Sequence, residues 1–172
     1  MHELPERVSE RLEGIMYLLA IGLDQATKWW ILAFVMDPPR VISVTPFFNL
    51  VLVWNRGISF GMFSNESSAG VWLLSLLALI IVGFLINWLR KARSKLVAIS
   101  LGLIIGGALG NVIDRAVHSA VLDFLDFYIG SIRWPAFNAA DSFITVGAIL
   151  LIVDSLFSRG SSQSKIDFHN RH

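Results

Sequence analysis

The chain has 172 residues, of which 55% are hydrophobic and only 16% are charged. Because soluble domains carry roughly 25% charged residues, this composition excludes an ordinary water-soluble globule and predicts a membrane protein. The formal net charge of +1 offers no strongly basic surface for nucleic acid. Cysteine is absent, which excludes disulfides, thiolate metal sites and a cysteine nucleophile.

Four apolar stretches follow one another along the chain, and each is long enough for a helix to cross a hydrocarbon core of roughly 30 Å. We expect spans at about residues 14–36, 69–89, 96–115 and 136–157. Residues 1–158 then form a single polytopic membrane domain. The polar residues 159–172 are expected to form a disordered cytoplasmic tail.

The cations predict the orientation of these spans. Residues 90–95, between the second and third stretches, carry four cations in six residues, and both tails add more. The long connections 37–68 and 116–135 together carry only three. Because cytoplasmic loops are enriched in lysine and arginine, both termini and the basic loop are expected in the cytoplasm, and the two long connections at the outer face.

The two outer connections differ in pattern. Residues 41–63 place turn residues between β-favouring runs, which predicts a small strand-rich platform at the membrane surface. Residues 121–128 place two aspartates among aromatic residues, which favours a short helix lying in the interface. The predicted fold class is therefore an all-α membrane protein. It has four transmembrane helices, an extracytoplasmic strand-rich platform between spans 1 and 2, and a short interfacial helix between spans 3 and 4.

Ionisable side chains within a membrane are functional candidates, because each costs roughly 2.5–3.5 kcal/mol on insertion scales. The candidates in or beside the spans are Asp24, Lys28, Asp114, Arg115, Asp123, Asp126, Asp141 and Asp154. Asp24 and Lys28 are four residues apart, so they share one helix face and either form an ion pair with Lys28 extended outward to the membrane surface or serve a functional site. Asp126 and Asp154 are expected at the surface.

Polar residues also mark the outer ends of spans 3 and 4. Glycines 102, 106 and 110 predict close helix packing. Asn111, Asp114 and Arg115 share the neighbouring helix face, where they either line a site or anchor lipid head groups or peptide carbonyls. Asn138 either caps span 4 or shares a helix face with Asp141, three residues further on. Asp141, in the first turn, either favours the helix dipole or belongs to a partly buried site.

The available side chains favour carboxyl chemistry. Of the four histidines, only His118 lies outside the tails, so no histidine metal cluster is expected. Two carboxyl groups that share a proton can hydrolyse an amide, one taking a proton from water and the other polarising the carbonyl. Sequence spacing leaves the pair open among Asp114, Asp123, Asp126 and Asp141.

Two other classes of protein fit parts of this pattern. A small transporter or proton-relay subunit would use Asp24, Lys28, Asp114 and Asp141 as an ion path. The clustering of these charges at one membrane face disfavours that interpretation. A purely structural scaffold leaves the costly polar residues without an explanation.

Five motifs follow one another in order along most of the chain. They are Asp24-Gln25-Ala26-Thr27-Lys28, Asn55-Arg56-Gly57-Ile58-Ser59-Phe60-Gly61, Gly106-Gly107-x-x-Gly110-Asn111-x-x-Asp114-Arg115, Val121-x-Asp123-Phe124 and Pro135-x-Phe137-Asn138-x-Ala140-Asp141. This set, spread over about residues 14 to 157, resembles that of the bacterial lipoprotein signal peptidase (signal peptidase II) family.

The resemblance implies an aspartyl endopeptidase of the bacterial cytoplasmic membrane that needs no cofactor or metal. Its substrate would be a diacylglyceryl-modified prolipoprotein, cut immediately before the lipidated cysteine. Its other partners would be membrane lipids and cyclic peptide inhibitors of the globomycin type, and the chain is expected to act as a monomer.

The resemblance also assigns roles to individual positions. Asp123 and Asp141 match the catalytic pair at the outer face. The positions expected to bind substrate or line the site are Asn55, Gly57, Asn111, Arg115 and Asn138. Asp24, Lys28 and Asp114 match positions that support the site.

Overall fold

The computed structural model describes residues 6–57, 68–92 and 94–169. In chain order, its elements are α1 (Glu6–Trp30), a π-helical segment (Ile31–Val35), β1 (Ile42–Thr45), β2 (Phe48–Asn55), α2 (Ser68–Leu89), α3 (Lys95–His118), β3 (Val121–Ile129), β4 (Ile132–Arg133) and α4 (Ala139–His169).

The four helices are long and apolar enough to cross a membrane. The qualifying segments are Gly14–Val35, Ala69–Leu89, Lys95–His118 and Ala139–Phe157. They coincide with the predicted spans to within a few residues, so the prediction of four spans is confirmed. Large apolar side chains such as Leu18, Phe84 and Leu156 are exposed on the outside of the bundle, as lipid-facing residues are.

Helix α3 lies at the centre of the bundle and packs against α1, α2 and α4. Glycine allows two of these approaches. A Cβ at Gly106 would lie 2.5 Å from the Cβ of Ala20 on α1, and one at Gly107 would lie 2.4 Å from the carbonyl oxygen of Ala140 on α4. The glycine-rich part of α3 is therefore a helix-packing surface, as the sequence predicted.

The four strands form one antiparallel sheet in the order β1-β2-β3-β4. The platform predicted between spans 1 and 2 is present as β1 and β2. The other half of the sheet, however, comes from the connection between spans 3 and 4. Strand β2 pairs with β3 from Phe48 opposite Phe127 to Asn55 opposite Val121.

The predicted interfacial helix between spans 3 and 4 is therefore wrong, because Val121–Ile129 is strand β3. The aromatic and β-branched residues of this segment favour a strand once a partner edge is available. Strand β2 supplies that edge, and pairing satisfies backbone groups that an unpartnered β2 would leave open.

The predicted disordered tail from residue 159 also needs correction, because α4 continues to His169. Extending an existing helix costs much less than nucleating one. No proline interrupts residues 158–169, so the turns of span 4 can propagate into this polar stretch.

An apolar cluster joins the sheet to the C-terminal end of α1. Ile31 and Met36, at the two ends of the π-helical turn, pack with Leu122 and Phe124 of β3. Because side chains alternate along a strand, Asp123 is directed to the opposite face of β3. The packing of these apolar neighbours thereby fixes the direction of the Asp123 carboxyl group.

Candidate active site

Asp123 is held on β3 by a side chain of the neighbouring strand. Asp123 lies opposite Val53 of β2, and Asn55 lies two residues further along the same strand. The Asn55 Nδ2 donates to Asp123 Oδ2 at 3.1 Å. The Asn55 Oδ1 accepts the backbone N–H of Gly57 at 3.1 Å, which orients the amide with its NH₂ group toward Asp123. Residues 58–61 of this motif lie outside the described residues.

The carboxyl group of Asp123 is almost completely buried. Burial raises the pKa of Asp123 to about 6, and the negative charge of Asp141 acts in the same direction. The hydrogen bonds from Asn55 and Asn138 and the charge of Lys28 lower it. The burial effect is the largest, so Asp123 holds its proton at a higher pH than an ordinary aspartate.

Asp141 belongs to the N-terminal capping arrangement of α4. The Asn138 Oδ1 accepts the backbone N–H of Asp141 at 3.0 Å, and Asp141 Oδ2 accepts the backbone N–H of Asn138 at 3.1 Å. This reciprocal pair satisfies N–H groups that have no partner within the helix. Of the two roles that the sequence left open for Asn138, the structure shows the cap of span 4.

Two asparagines connect Asp123 to Asp141. The Nδ2 of the fully buried Asn138 donates to Asp123 Oδ1 at 2.8 Å. The Nδ2 of Asn111 donates to Asp141 Oδ1 at 2.9 Å, and its Oδ1 accepts Asn138 Nδ2 at 3.2 Å. The structure therefore brings together four of the predicted site residues, which lie in three separate motifs.

Asp24, Lys28 and Asp114 form a cluster that we call the buried charge cluster. The Lys28 Nζ lies 2.8 Å from Asp24 Oδ2 and 2.9 Å from Asp114 Oδ2. The ion pair of Asp24 and Lys28 is therefore present, but the outward direction expected for Lys28 is wrong, because its side chain is turned into the bundle and is only 4% exposed. Such groups tolerate burial because each charge has partners.

The buried charge cluster also joins separate elements of the fold. Asp24 Oδ1 accepts the backbone N–H of Ala140 at 2.9 Å, at the start of α4. Asp114 Oδ2 accepts the backbone N–H of Leu122 at 3.1 Å, directly before Asp123. The cluster thus holds α1, α3, α4 and β3 in register around the candidate site.

Gln25 belongs to the same region, although sequence analysis assigned it no role. Its Nε2 donates to Asp114 Oδ1 at 2.9 Å, to Asp24 Oδ2 at 3.1 Å and to the carbonyl oxygen of Gly110 at 3.2 Å. The sequence feature that could have identified Gln25 is its position next to Asp24 in an apolar span. A polar amide there requires partners inside the protein.

Arg115 lies half-buried beside the carboxyl groups. Its Nη1 donates to the carbonyl oxygen of Asn111 at 3.4 Å. The guanidinium also interacts electrostatically with Asp141, Asp114 and Asp123. A guanidinium carries five N–H donors, so within residues 6–57, 68–92 and 94–169 this cation has donors beyond the one bound to Asn111.

Asp126 was predicted at the surface, but the structure buries it to 5% exposure. It accepts Asn49 Nδ2 at 3.0 Å and forms an ion pair with Arg133. It is an odd number of positions from Asp123 along β3, so the two carboxyl groups leave opposite faces of the strand. Burial of the Asp126 carboxylate is tolerated because Asn49 and Arg133 both donate hydrogen bonds to it.

Of the four acids that sequence spacing left open, the structure joins Asp123 and Asp141 through Asn138. Asp114 is directed into the buried charge cluster, and Asp126 lies on the other face of β3. Across residues 6–57, 68–92 and 94–169, no group of three or more histidine, aspartate or glutamate side chains is arranged to hold a metal ion.

Comparison with known proteins identifies relatives over most of the chain. The family model described as Signal peptidase (SPase) II matches residues 16–157. A lipoprotein signal peptidase of Methylorubrum extorquens (strain PA1) is 47% identical over 147 residues, covering 83% of this chain and 85% of the relative. One from Beijerinckia indica is 44% identical over 148 residues, covering 86% and 89% respectively.

Solved structures of bacterial membrane enzymes share this fold. One bacterial membrane enzyme superposes with a TM-score of 0.73 at 30% identity, covering 87% of this chain and 90% of the other. A second has a TM-score of 0.72 at 31% identity and covers 84% and 92%. The resemblance carried by the five motifs is confirmed, and the chain belongs to the signal peptidase II family.

Proposed function

We propose that Asp123 and Asp141 are the catalytic pair with which this aspartic endopeptidase removes signal peptides from prolipoproteins. The observation that carries the proposal is the bridge through Asn138. Its Nδ2 binds Asp123 Oδ1 at 2.8 Å, while its backbone N–H binds Asp141 Oδ2 at 3.1 Å. One buried residue therefore positions both carboxyl groups, one through its side chain and one through its backbone.

The pKa of Asp123, raised by burial to about 6, suits it to carry the proton of the pair. Asp141 then takes a proton from water, whose oxygen attacks the scissile carbonyl carbon while Asp123 donates its proton to the carbonyl oxygen. The tetrahedral intermediate collapses as the C–N bond breaks. Asp141 gives its proton to the departing amine, and Asp123 regains its proton from the intermediate's hydroxyl group.

Arg115 is the residue best suited to hold the substrate backbone in this scheme. Its guanidinium lies beside the carboxyl groups and has donors beyond the one bound to Asn111. The amides of Asn55, Asn111 and Asn138 are bound to the carboxyl groups, so their role is to orient the pair. Gly57 fixes the amide of Asn55 through its backbone N–H.

The lipid modification of the substrate fits a site at the membrane boundary. Asp123 follows the end of α3, and Asp141 lies in the first turn of α4, so the pair lies at one end of the bundle. We infer that this end is the outer face, with both termini in the cytoplasm, because residues 90–95 carry four cations at the other end. A diacylglyceryl-cysteine then reaches the pair laterally from the bilayer and is cut on its N-terminal side.

The test is cleavage of a diacylglyceryl-modified lipobox peptide by the purified protein in detergent. Mass spectrometry should locate the cut before the lipidated cysteine, and globomycin should block it. Asp123→Asn and Asp141→Asn should each lower kcat by about 10²–10⁴-fold. The matched control is Asp126→Asn, a carboxyl change on the same strand, which should keep activity. Full activity in either Asp123→Asn or Asp141→Asn would refute the pair.

A further inference from the structure

The side-chain amide of Asn111 has a defined direction. The Lys28 Nζ lies 3.1 Å from Asn111 Oδ1, and an ammonium group can only donate hydrogen bonds. The Asn138 Nδ2 donates to the same oxygen at 3.2 Å. With Oδ1 occupied by two donors, the NH₂ group of Asn111 is directed at Asp141 Oδ1, 2.9 Å away.

The position of Lys28 is itself fixed. Its ammonium group has three N–H donors, and three acceptors surround it, from Asp24 at 2.8 Å, Asp114 at 2.9 Å and Asn111 at 3.1 Å. The side chain is only 4% exposed, so water does not compete freely for these donors. Lys28 therefore presents a donor to Asn111 in one stable geometry.

We propose that Lys28 is a positioning residue for the catalytic pair, acting through Asn111 to hold the carboxyl group of Asp141. This inference rests on the proposed roles of Asp123 and Asp141. Without the ammonium group, the amide of Asn111 loses the charged one of the two donors that fix its direction, and only the neutral amide of Asn138 remains. A rotated amide would place Oδ1 against the carboxylate of Asp141, where two acceptors repel each other, and Asp141 would leave its bonded position.

The first test is Lys28→Met in the full-length protein, assayed on the diacylglyceryl-modified lipobox peptide. We expect kcat to fall by about 10- to 100-fold, the equivalent of one hydrogen bond to a charged group, with KM changed by less than about twofold. The control is Ala20→Gly, which loosens the same interface of α1 and α3 two turns away. It should lower the melting temperature and keep the kcat of the folded enzyme.

A double-mutant cycle separates positioning from a general structural role. Asn111→Ala should also lower kcat by about 10- to 100-fold. If Lys28 acts through Asn111, the double variant loses no more than the more impaired single variant. If the two residues act independently, the losses multiply to about 10²–10⁴-fold. Multiplied losses, or a higher KM with kcat unchanged in Lys28→Met, would overturn the proposal.

Loss of Lys28 leaves two buried carboxylates without their counter-ion, so Lys28→Met can fail to accumulate. In that case Lys28→Met combined with Asp114→Asn is compared with Asp114→Asn alone, which keeps Lys28. The same 10- to 100-fold difference in kcat, about one charged hydrogen bond, is expected between these two proteins. Equal kcat values would overturn the proposal.

The failure of the pair and the failure of this inference give different results. An active Asp141→Asn variant refutes the catalytic pair. An inactive Asp141→Asn variant with normal kcat in the Lys28 variants refutes only the positioning role of Lys28.

Discussion

Gly110 is the position at which a single methyl group should damage the buried charge cluster most directly. A Cβ at this residue would lie 2.5 Å from Asp24 Oδ2 and 3.1 Å from Asp24 Cγ. No real Cβ approaches a carboxylate so closely, so Gly110→Ala must displace Asp24. The displaced side chain then loses its contacts with Lys28 at 2.8 Å and with the backbone N–H of Ala140 at 2.9 Å.

The size of the effect follows from these contacts. Breaking a buried ion pair by removing one partner costs about 3–5 kcal/mol, because the other charge remains buried without compensation. For a chain of this length, 1 kcal/mol corresponds to a shift in melting temperature of roughly 2–4 °C. The expected decrease for Gly110→Ala is therefore about 6–20 °C.

The assay is thermal unfolding in detergent, followed by the fluorescence of the six tryptophans, because a thiol-reactive dye has no cysteine to label. The control is Gly22→Ala on the exposed side of α1, where an added Cβ meets nothing within 4 Å. The control should match the parent or be up to about 1 kcal/mol more stable, since alanine favours the helix. Equal melting temperatures for Gly110→Ala and Gly22→Ala would refute the reasoning.

Two further substitutions test the carboxyl groups and the substrate contact. Asn55→Ala removes a donor that stabilises ionised Asp123, so the pKa of Asp123 should rise above about 6. Because Asp123 acts in its protonated form, the alkaline limb of kcat/KM should move up by about one pH unit, and a fixed or lowered limb would contradict this. Arg115→Ala should raise KM by about tenfold with little change in melting temperature, and an unchanged KM would remove Arg115 from substrate binding.

The parts of the structure that depend on local sequence could be predicted. Hydrophobic length located the four spans, and the four-residue spacing placed Asp24 and Lys28 together. The pairing of Asn138 with Asp141 follows from the geometry of a helix N-terminus. Each of these features depends only on residues within one helix or next to its first turn.

The remaining contacts join segments that are distant in the chain, and the sequence pattern did not contain them. Strand β3 forms because β2 offers an edge, and no feature of residues 121–129 alone records that pairing. The choice of Asp123 over Asp126 depends on which face of that strand turns toward Asn138. The contact of Lys28 with Asn111 exists only once α1 and α3 have packed together.

The pairing of β2 with β3 has a consequence for the order in which the protein folds during its synthesis. Asp123 can be positioned only after Phe48–Asn55 of β2 has paired with β3, which is synthesised later. Asp141 is positioned by the first turn of α4, which follows both β3 and β4 in the chain. A nascent chain with three inserted spans therefore has no assembled pair of carboxyl groups. On the proposed roles of Asp123 and Asp141, catalytic activity therefore requires the fourth helix and arises only when β3 has paired with β2.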